Sequence, residues 1–169
     1  MQKVHLNACR GCGALLPDIE GPVHDYMDSS PACWAAFGQV LAREYSSASL
    51  KSVHRLSVDS YAIQHPGAAS RQAVQSVGVH LARLCLFLEQ GLSAEDANSA
   101  MLLIGKTKSK MHHLTRPESL GDVTVVNVLE ASGETAHREV VVRWANSAWS
   151  AWKEHHSVVR QWVDASRTS

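Results

Sequence analysis

Apolar residues recur along most of this chain at the three-and-four spacing of an amphipathic helix, and the breaks in that spacing divide it into segments. Ser30-Pro31 reads as an N-cap followed by proline at the first helical position, and the pattern from Ala32 to Tyr45 predicts a helix over about 31–46. A second helix is expected over about 50–65, ending near His65 because the residue before Pro66 avoids the helical basin. A third runs from Ser70 to Gln90, with Val74, Val77, Leu81, Leu84 and Leu88 on one stripe and Gly91 as its stop. Ser93 and Asp96 resemble a capping box that opens a fourth helix reaching to about Lys108, and 109–122 reads as a surface connection. Val123 to Leu129 is a β-branched run that suits a strand or a buried helix; with no second strand to pair it, helix is the expectation. Glu134 to Asp164 has the clearest period, since His137, Val141, Trp144, Ala148, Trp152, His155, Val159 and Trp162 share one arc, and it predicts a single long helix. The first thirty residues, broken by Gly11, Gly13, Pro17, Gly21 and Pro22, read as loop. The expected fold is therefore all-α: a bundle of about five helices over 31–169 carrying a small irregular segment over 1–30, one compact domain in all.

Composition narrows the function classes. A chain of 169 residues can bury a sufficient core without disulfides, and sixteen acidic against sixteen basic side chains leave none of the electrostatic footprint of a nucleic-acid binder. Apolar runs such as Ala100–Ile104 are far too short to cross a membrane, and Met1–His5 opens no signal peptide. The expectation is a soluble, cytoplasmic protein whose partner is a small molecule or another protein, with neither nucleic acid nor membrane. Ten histidines and five tryptophans stand out and point toward metal binding.

Three of the four cysteines fall within the first 33 residues, which in a cytosolic chain suggests metal or thiol chemistry rather than a disulfide scaffold. Cys9-Arg-Gly-Cys12-Gly13 has the form of a knuckle, in which a tight turn aims two thiolates at one ion. Cys33, in the first turn of the first helix, is the expected third ligand, where the helix dipole favours a thiolate. His24, in the same irregular segment, is the expected fourth, with His5 and His54 also in reach of the role. Such a closed site would hold a structural zinc; the competing readings are a pair of free thiols or a thioredoxin-like redox pair, although the strand context of the latter is missing. Cys85, inside an apolar run, reads as a small buried residue.

The histidines admit a second centre. His65 or His54, His80, and one of His155 or His156 come from three expected helices and would converge in a bundle, with Asp59 as carboxylate ligand or general base and Arg160 as an anion-binding group. That arrangement would make a histidine-lined cleft with a possible second metal ion. Against it, the spacings that place two ligands on one helix face, His-x3-His and Glu-x2-His, are missing from these stretches. His80 on the apolar stripe equally suits a hydrogen-bonded core residue, Arg160 a surface salt bridge, and His112-His113 an exposed loop. Trp144, Trp149, Trp152 and Trp162 read as core anchors, with an aromatic ligand pocket as the second reading.

Several motifs taken together, Cys9-x2-Cys12-Gly-Ala14, Gly21-Pro22-x-His24-x-Tyr26, Ser30-Pro31-x-Cys33-Trp34, Gln64-His65-Pro66-Gly67, and Trp149-x2-Trp152-x2-His155-His156-x3-Arg160-x-Trp162, resemble an uncharacterised bacterial family of small proteins, a domain of unknown function. The resemblance spans nearly the whole chain. It implies that Cys9, Cys12, His24 and Cys33 form one recurrent signature and Asp59, His65, His80, His156 and Arg160 another, without supplying a reaction. Two functions follow as expectations: a zinc-binding helical protein whose histidine cleft is a metal-dependent catalytic centre, or a non-catalytic, zinc-stabilised binding or regulatory module. An enzyme would gather His65, His80 and His155 or His156 in one open pocket, whereas a binding module would disperse them and expose an apolar patch near the knuckle.

Overall fold

The computed structural model describes residues 5–167. Within them the order is β1 (Leu6–Ala8), β2 (Leu15–Pro17), α1 (Pro31–Ser46), α2 (Lys51–Gln64), α3 (Arg71–Leu84), α4 (Ala94–Thr107), α5 (Val125–Glu130), α6 (Gly133–Ala151) and α7 (His156–Arg167). The all-α expectation holds, with seven α-helices among the described residues and only one small sheet. None of these helices is long and apolar enough to cross a membrane.

Helix α2 is the wall shared by two apolar clusters. On one side Val53 and Tyr61 pack with Phe37 and Val40 of α1, Val125 and Val128 of α5, and Val141 and Trp144 of α6. On the other, Ile63 packs with Leu81 and Leu84 of α3, Ile104 of α4, Trp152, and Val159 and Trp162 of α7. Polar atoms inside these cores are matched. Buried Gln64 accepts from the Trp144 indole Nε1–H at 2.7 Å and donates its Nε2 to the carbonyls of Leu120 (2.9 Å) and Val123 (2.8 Å). One side chain thus ties α2, α6 and the segment before α5 together. Arg43 of α1 caps the C-terminal end of the short helix α5, donating to the carbonyls of Val128, Leu129 and Ala131 at 3.1–3.3 Å.

Three expectations are corrected. The N-terminal segment is not all loop. Leu6, Asn7 and Ala8 pair antiparallel with Pro17, Leu16 and Leu15, and the connection closes through Cys9 N–H to Ala14 O (2.8 Å) and Gly13 N–H to Cys9 O (2.9 Å). Gly13 supplies the φ of +76° the turn requires. Strands of three residues are too short to register as alternation. The connection 109–122 is also more than surface, because Met111, Leu114 and Leu120 are buried.

The third correction concerns the expected helix over 134–164, which breaks at Trp152 into α6 and α7 through a 3₁₀ turn, Lys153–His155. Helix α6 sets Trp144 in the first cluster and Ala145, Ala148 and Trp149 in the second, and beyond the break Trp152, Val159 and Trp162 continue the second. A 3₁₀ turn nearly preserves the helical period, and no Gly or Pro marks the spot, so periodicity passes over it. His156 Nε2 donates to Trp149 O of the last turn of α6 at 2.9 Å, and the Trp152 indole N–H donates across to Ile63 O at the end of α2 at 3.1 Å.

Replacing Gln64 by Leu would leave the Trp144 N–H and two carbonyls buried without partners. The expected cost is about 3 kcal/mol, read as a lowered urea midpoint at unchanged m-value.

Candidate metal centre

Local structure delivers each of four soft donors to one point. The hairpin turn presents Cys9 and Cys12, and Gly11 between them lies so close to the end of α2 that a Cβ there would stand 2.3 Å from His65 Cδ2 and 2.8 Å from Gln64 O. Ser30, the N-cap of α1, accepts from Cys33 N–H at 3.3 Å and donates its own N–H to Cys9 Sγ at 3.4 Å. Cys33 is thereby fixed in the first turn of α1, at the positive end of the helix dipole. His65 caps α2 with a non-helical φ of −128° and ψ of 54°, the consequence of Pro66 behind it.

The ligand atoms of Cys9, Cys12, Cys33 and His65 all lie within 4.8 Å of one another, and all four residues are buried. Cys12 Sγ is 3.8 Å from Cys33 Sγ, and Cys33 Sγ is 3.3 Å from His65 Nε2. The far ring nitrogen of His65, Nδ1, is 2.6 Å from Tyr61 O, to which it donates, so that the Nε2 lone pair faces the sulfurs. A carbonyl behind the ring of this kind orients a metal-binding imidazole and raises its basicity. Tyr61 is sandwiched between Phe37 and His65, each ring 3.9 Å away, and its hydroxyl donates to Cys33 Sγ at 3.7 Å.

Electrostatics in this cluster are strongly coupled. Hydrogen bonds from Cys12 and Cys33 hold the Cys9 thiol far below its ordinary value, while its bonds to Cys12 and Cys9, with burial, push Cys33 far above. Burial opposes charge on His65, yet hydrogen bonds to the Cys12 and Cys9 sulfurs raise it to about 9. Three buried sulfurs at this spacing cannot all carry negative charge without a cation among them. The donor set therefore suits a metal ion.

The structure places the expected residues as follows. Cys9, Cys12 and Cys33 come together, but the fourth position falls to His65 and not to His24. His24 Nδ1 accepts from Tyr26 N–H at 3.4 Å, and its ring packs edge-on against Tyr26 and Trp34. Neither His5 nor His54 takes the position: His5 is exposed, and His54 donates to Glu44 at 2.8 Å. Nearness in sequence favoured His24, whereas His65 comes in from the far end of α2. The signal available for it was His65-Pro66, which sets an imidazole at a forced helix end.

The expected histidine cleft does not assemble. Asp59 is buried and gripped side-on by Arg83, whose Nε lies 2.8 and 2.7 Å from its two oxygens, while His80 Nδ1 donates to it at 2.6 Å. Together they clasp α2 to α3. His156 stacks on Trp149 with ring centroids 3.8 Å apart, and Arg160 forms a two-pronged pair with Glu89, both contacts at 2.7 Å. His155 Nε2 donates to Thr115 O at 2.8 Å. Among the described residues, no group of three of these candidates brings ligand atoms together as Cys9, Cys12, Cys33 and His65 do. Sequence reading missed Arg83, and it missed buried Glu44, which accepts from His54 and from His137 Nε2 at 3.0 Å. A lone carboxylate on a helix carries no pattern that reports its partners.

Fold and site together define a helical protein with a buried three-cysteine, one-histidine cluster able to hold a metal ion. As the resemblance to a domain of unknown function implied, the chain belongs to DUF5946, a family of unknown function, whose model matches residues 7–153, a span that contains all four donors. No curated protein and no solved structure gives a significant match.

Gly11→Ala should push the knuckle off α2. The expected result is metal affinity lowered at least about tenfold, with helical circular dichroism retained, measured by competition against a chromophoric chelator.

Proposed function

We propose that this protein is a zinc-stabilised, non-catalytic binding module, with Cys9, Cys12, Cys33 and His65 as the ligands of one structural zinc. What carries the reading is the donor set: four protein donors, all buried and within 4.8 Å of one another, are the number a closed tetrahedral zinc takes, which would leave no position for water or substrate. The dimensions suit zinc. Bond lengths of about 2.3 Å to sulfur and 2.0–2.1 Å to nitrogen set tetrahedral edges of roughly 3.8 Å between sulfurs and 3.5 Å from sulfur to nitrogen, against 3.8 and 3.3 Å here. When bound, zinc supplies a fixed cross-link between the hairpin, α1 and α2. The competing function, a metal-dependent reaction in a histidine cleft, loses its ligand set once His65 is committed to the cysteines and His80 and His156 to Asp59 and Trp149.

The hairpin supplies the surface. Leu16 packs inward on the first cluster, while the opposite face, with Leu6 and Leu15 at 51% and 63% exposure and Ala8 and Pro17 between them, is left uncovered by the described residues. Ile19 and Val23 extend the exposed apolar area. Apolar surface gathered on a metal-stapled hairpin is the property of a docking element.

Elemental analysis of untagged protein should give one zinc per chain that survives mild chelation. Cys33→Ser and His65→Ala should each reduce it well below one equivalent and cost more than about 3 kcal/mol of stability. His24→Gln should leave zinc at one, and cobalt substitution should give tetrahedral ligand-field and thiolate charge-transfer bands. Two ions, one readily stripped, would restore the open-site reading; no metal would overturn the proposal.

A further inference from the structure

A cleft of about 580 Å³ lies beside the metal centre, between the strap Val23–Ser29, the turn Pro66–Ala69 that leads into α3, and the connection running from His112 to Arg116. That volume falls in the range of small-molecule sites. Its wall is built rather than incidental. The strap is pinned by a bridge between Met27 and Pro66 and by Asp28 N–H to His65 O at 3.2 Å, and a Cβ on Gly67 would stand 2.2 Å from Tyr26 O. On the opposite side Arg116 reaches across to the knuckle and donates one Nη2 to the carbonyls of Arg10 and Gly11, both at 2.8 Å.

The lining divides by chemistry. Val74, Val77, Leu114 and Trp152 make an apolar floor, and polar groups ring the mouth. Among the mouth's charges, Arg10 is paired with Asp28 at 3.2 Å and the two cancel. What remains is Arg116, which spends its guanidinium on carbonyls rather than on a carboxylate, and Asp25, while His24, His112 and His113 add imidazole hydrogen-bonding groups to the same rim. The N-terminal turn of α3 borders the same cleft through Ala73, adding the positive end of a fourteen-residue helix. In the wall, the Ser29 hydroxyl is buried and lies against Tyr61 but completes no hydrogen bond of good geometry.

We infer that this cleft binds a small organic anion with an apolar body, the body on the Val74–Val77–Trp152 floor and the acid group at the mouth toward Arg116 and the histidines. This goes beyond the zinc reading, since the lining residues named here are not the metal ligands, and it rests on that reading only through the stapled knuckle, whose Arg10 and Gly11 carbonyls hold Arg116 in place.

Two dyes of similar skeleton separate body from charge: 1-anilinonaphthalene-8-sulfonate, an anion, and N-phenyl-1-naphthylamine, which is neutral. Titration of the metal-loaded full chain should give one saturable site, with the sulfonate bound about tenfold more tightly, the gain expected from one charge-assisted contact. Val74→Trp, which fills the floor, should abolish that site, as should Ala69→Trp on the exposed rim, which leaves the core untouched. Leu102→Ser on the exposed face of α4 should leave it unchanged. Circular dichroism and metal content identify which variants are folded. Equal affinity for the two dyes, no saturable binding, binding that persists in a folded cleft variant, or loss in Leu102→Ser would each overturn the assignment.

Discussion

Everything in this structure leans on the point where α2 is forced to stop. Pro66 denies His65 the helical basin, and the side chain that would have continued a buried stripe turns to face three sulfurs. The same junction holds the hairpin through Gly11, the strap through Asp28 N–H, and α7's approach through the Trp152 indole on Ile63 O. A helix end normally leaves carbonyls without partners; here Tyr61 O is taken by His65 Nδ1 and Ile63 O by Trp152. Satisfying the end of one helix therefore also orients a ligand and docks two other elements.

The abundance of histidine follows from the same economy. Buried carboxylates are costly unless each finds a donor, and Glu44 and Asp59 are both fully enclosed within the bundle. Glu44 is served by His54, His137 and Ser57, and Asp59 by His80 and Arg83. Both clasps join α2 to a neighbour, α1 and α6 in the first case and α3 in the second. Since apolar packing alone tolerates sliding between helices, directional hydrogen bonds to buried carboxylates restrict which register the neighbours of α2 adopt.

The helix positions were legible because their signals are local: Ser30-Pro31, Pro66-Gly67, Ser70 and Ser93 each mark an end that the structure keeps. The break at Trp152 was not, since a 3₁₀ turn without Gly or Pro is decided by what the tryptophans on either side must reach. At the site, the three cysteines could be read from type and spacing, because only a knuckle and a helix N-terminus are needed to aim them. The fourth ligand could not, because it depends on how α2 crosses the hairpin, and nothing in residues 9–33 reports that crossing. For the same reason His80 and His156 looked like members of one centre: identical side chains on or beside apolar stripes do not disclose that Asp59 and Trp149 O lie within reach.

A metal bound by these four residues would act on a segment that has little else to hold it. The strands are three residues long, and β1 is exposed throughout, so the hairpin buries too little surface to order itself. Its inward residues are mostly the ligands and their neighbours: Cys9, Cys12, Ala14 and Leu16. Binding free energy at such a site is folding free energy for the segment. Two surfaces are then conditional on the same event. The exposed Leu6 and Leu15 face is presented only while the hairpin is stapled, and the cleft keeps its wall only while Arg116 finds the Arg10 and Gly11 carbonyls where the knuckle puts them. A site that does no chemistry can in this way decide whether a protein has binding surfaces at all.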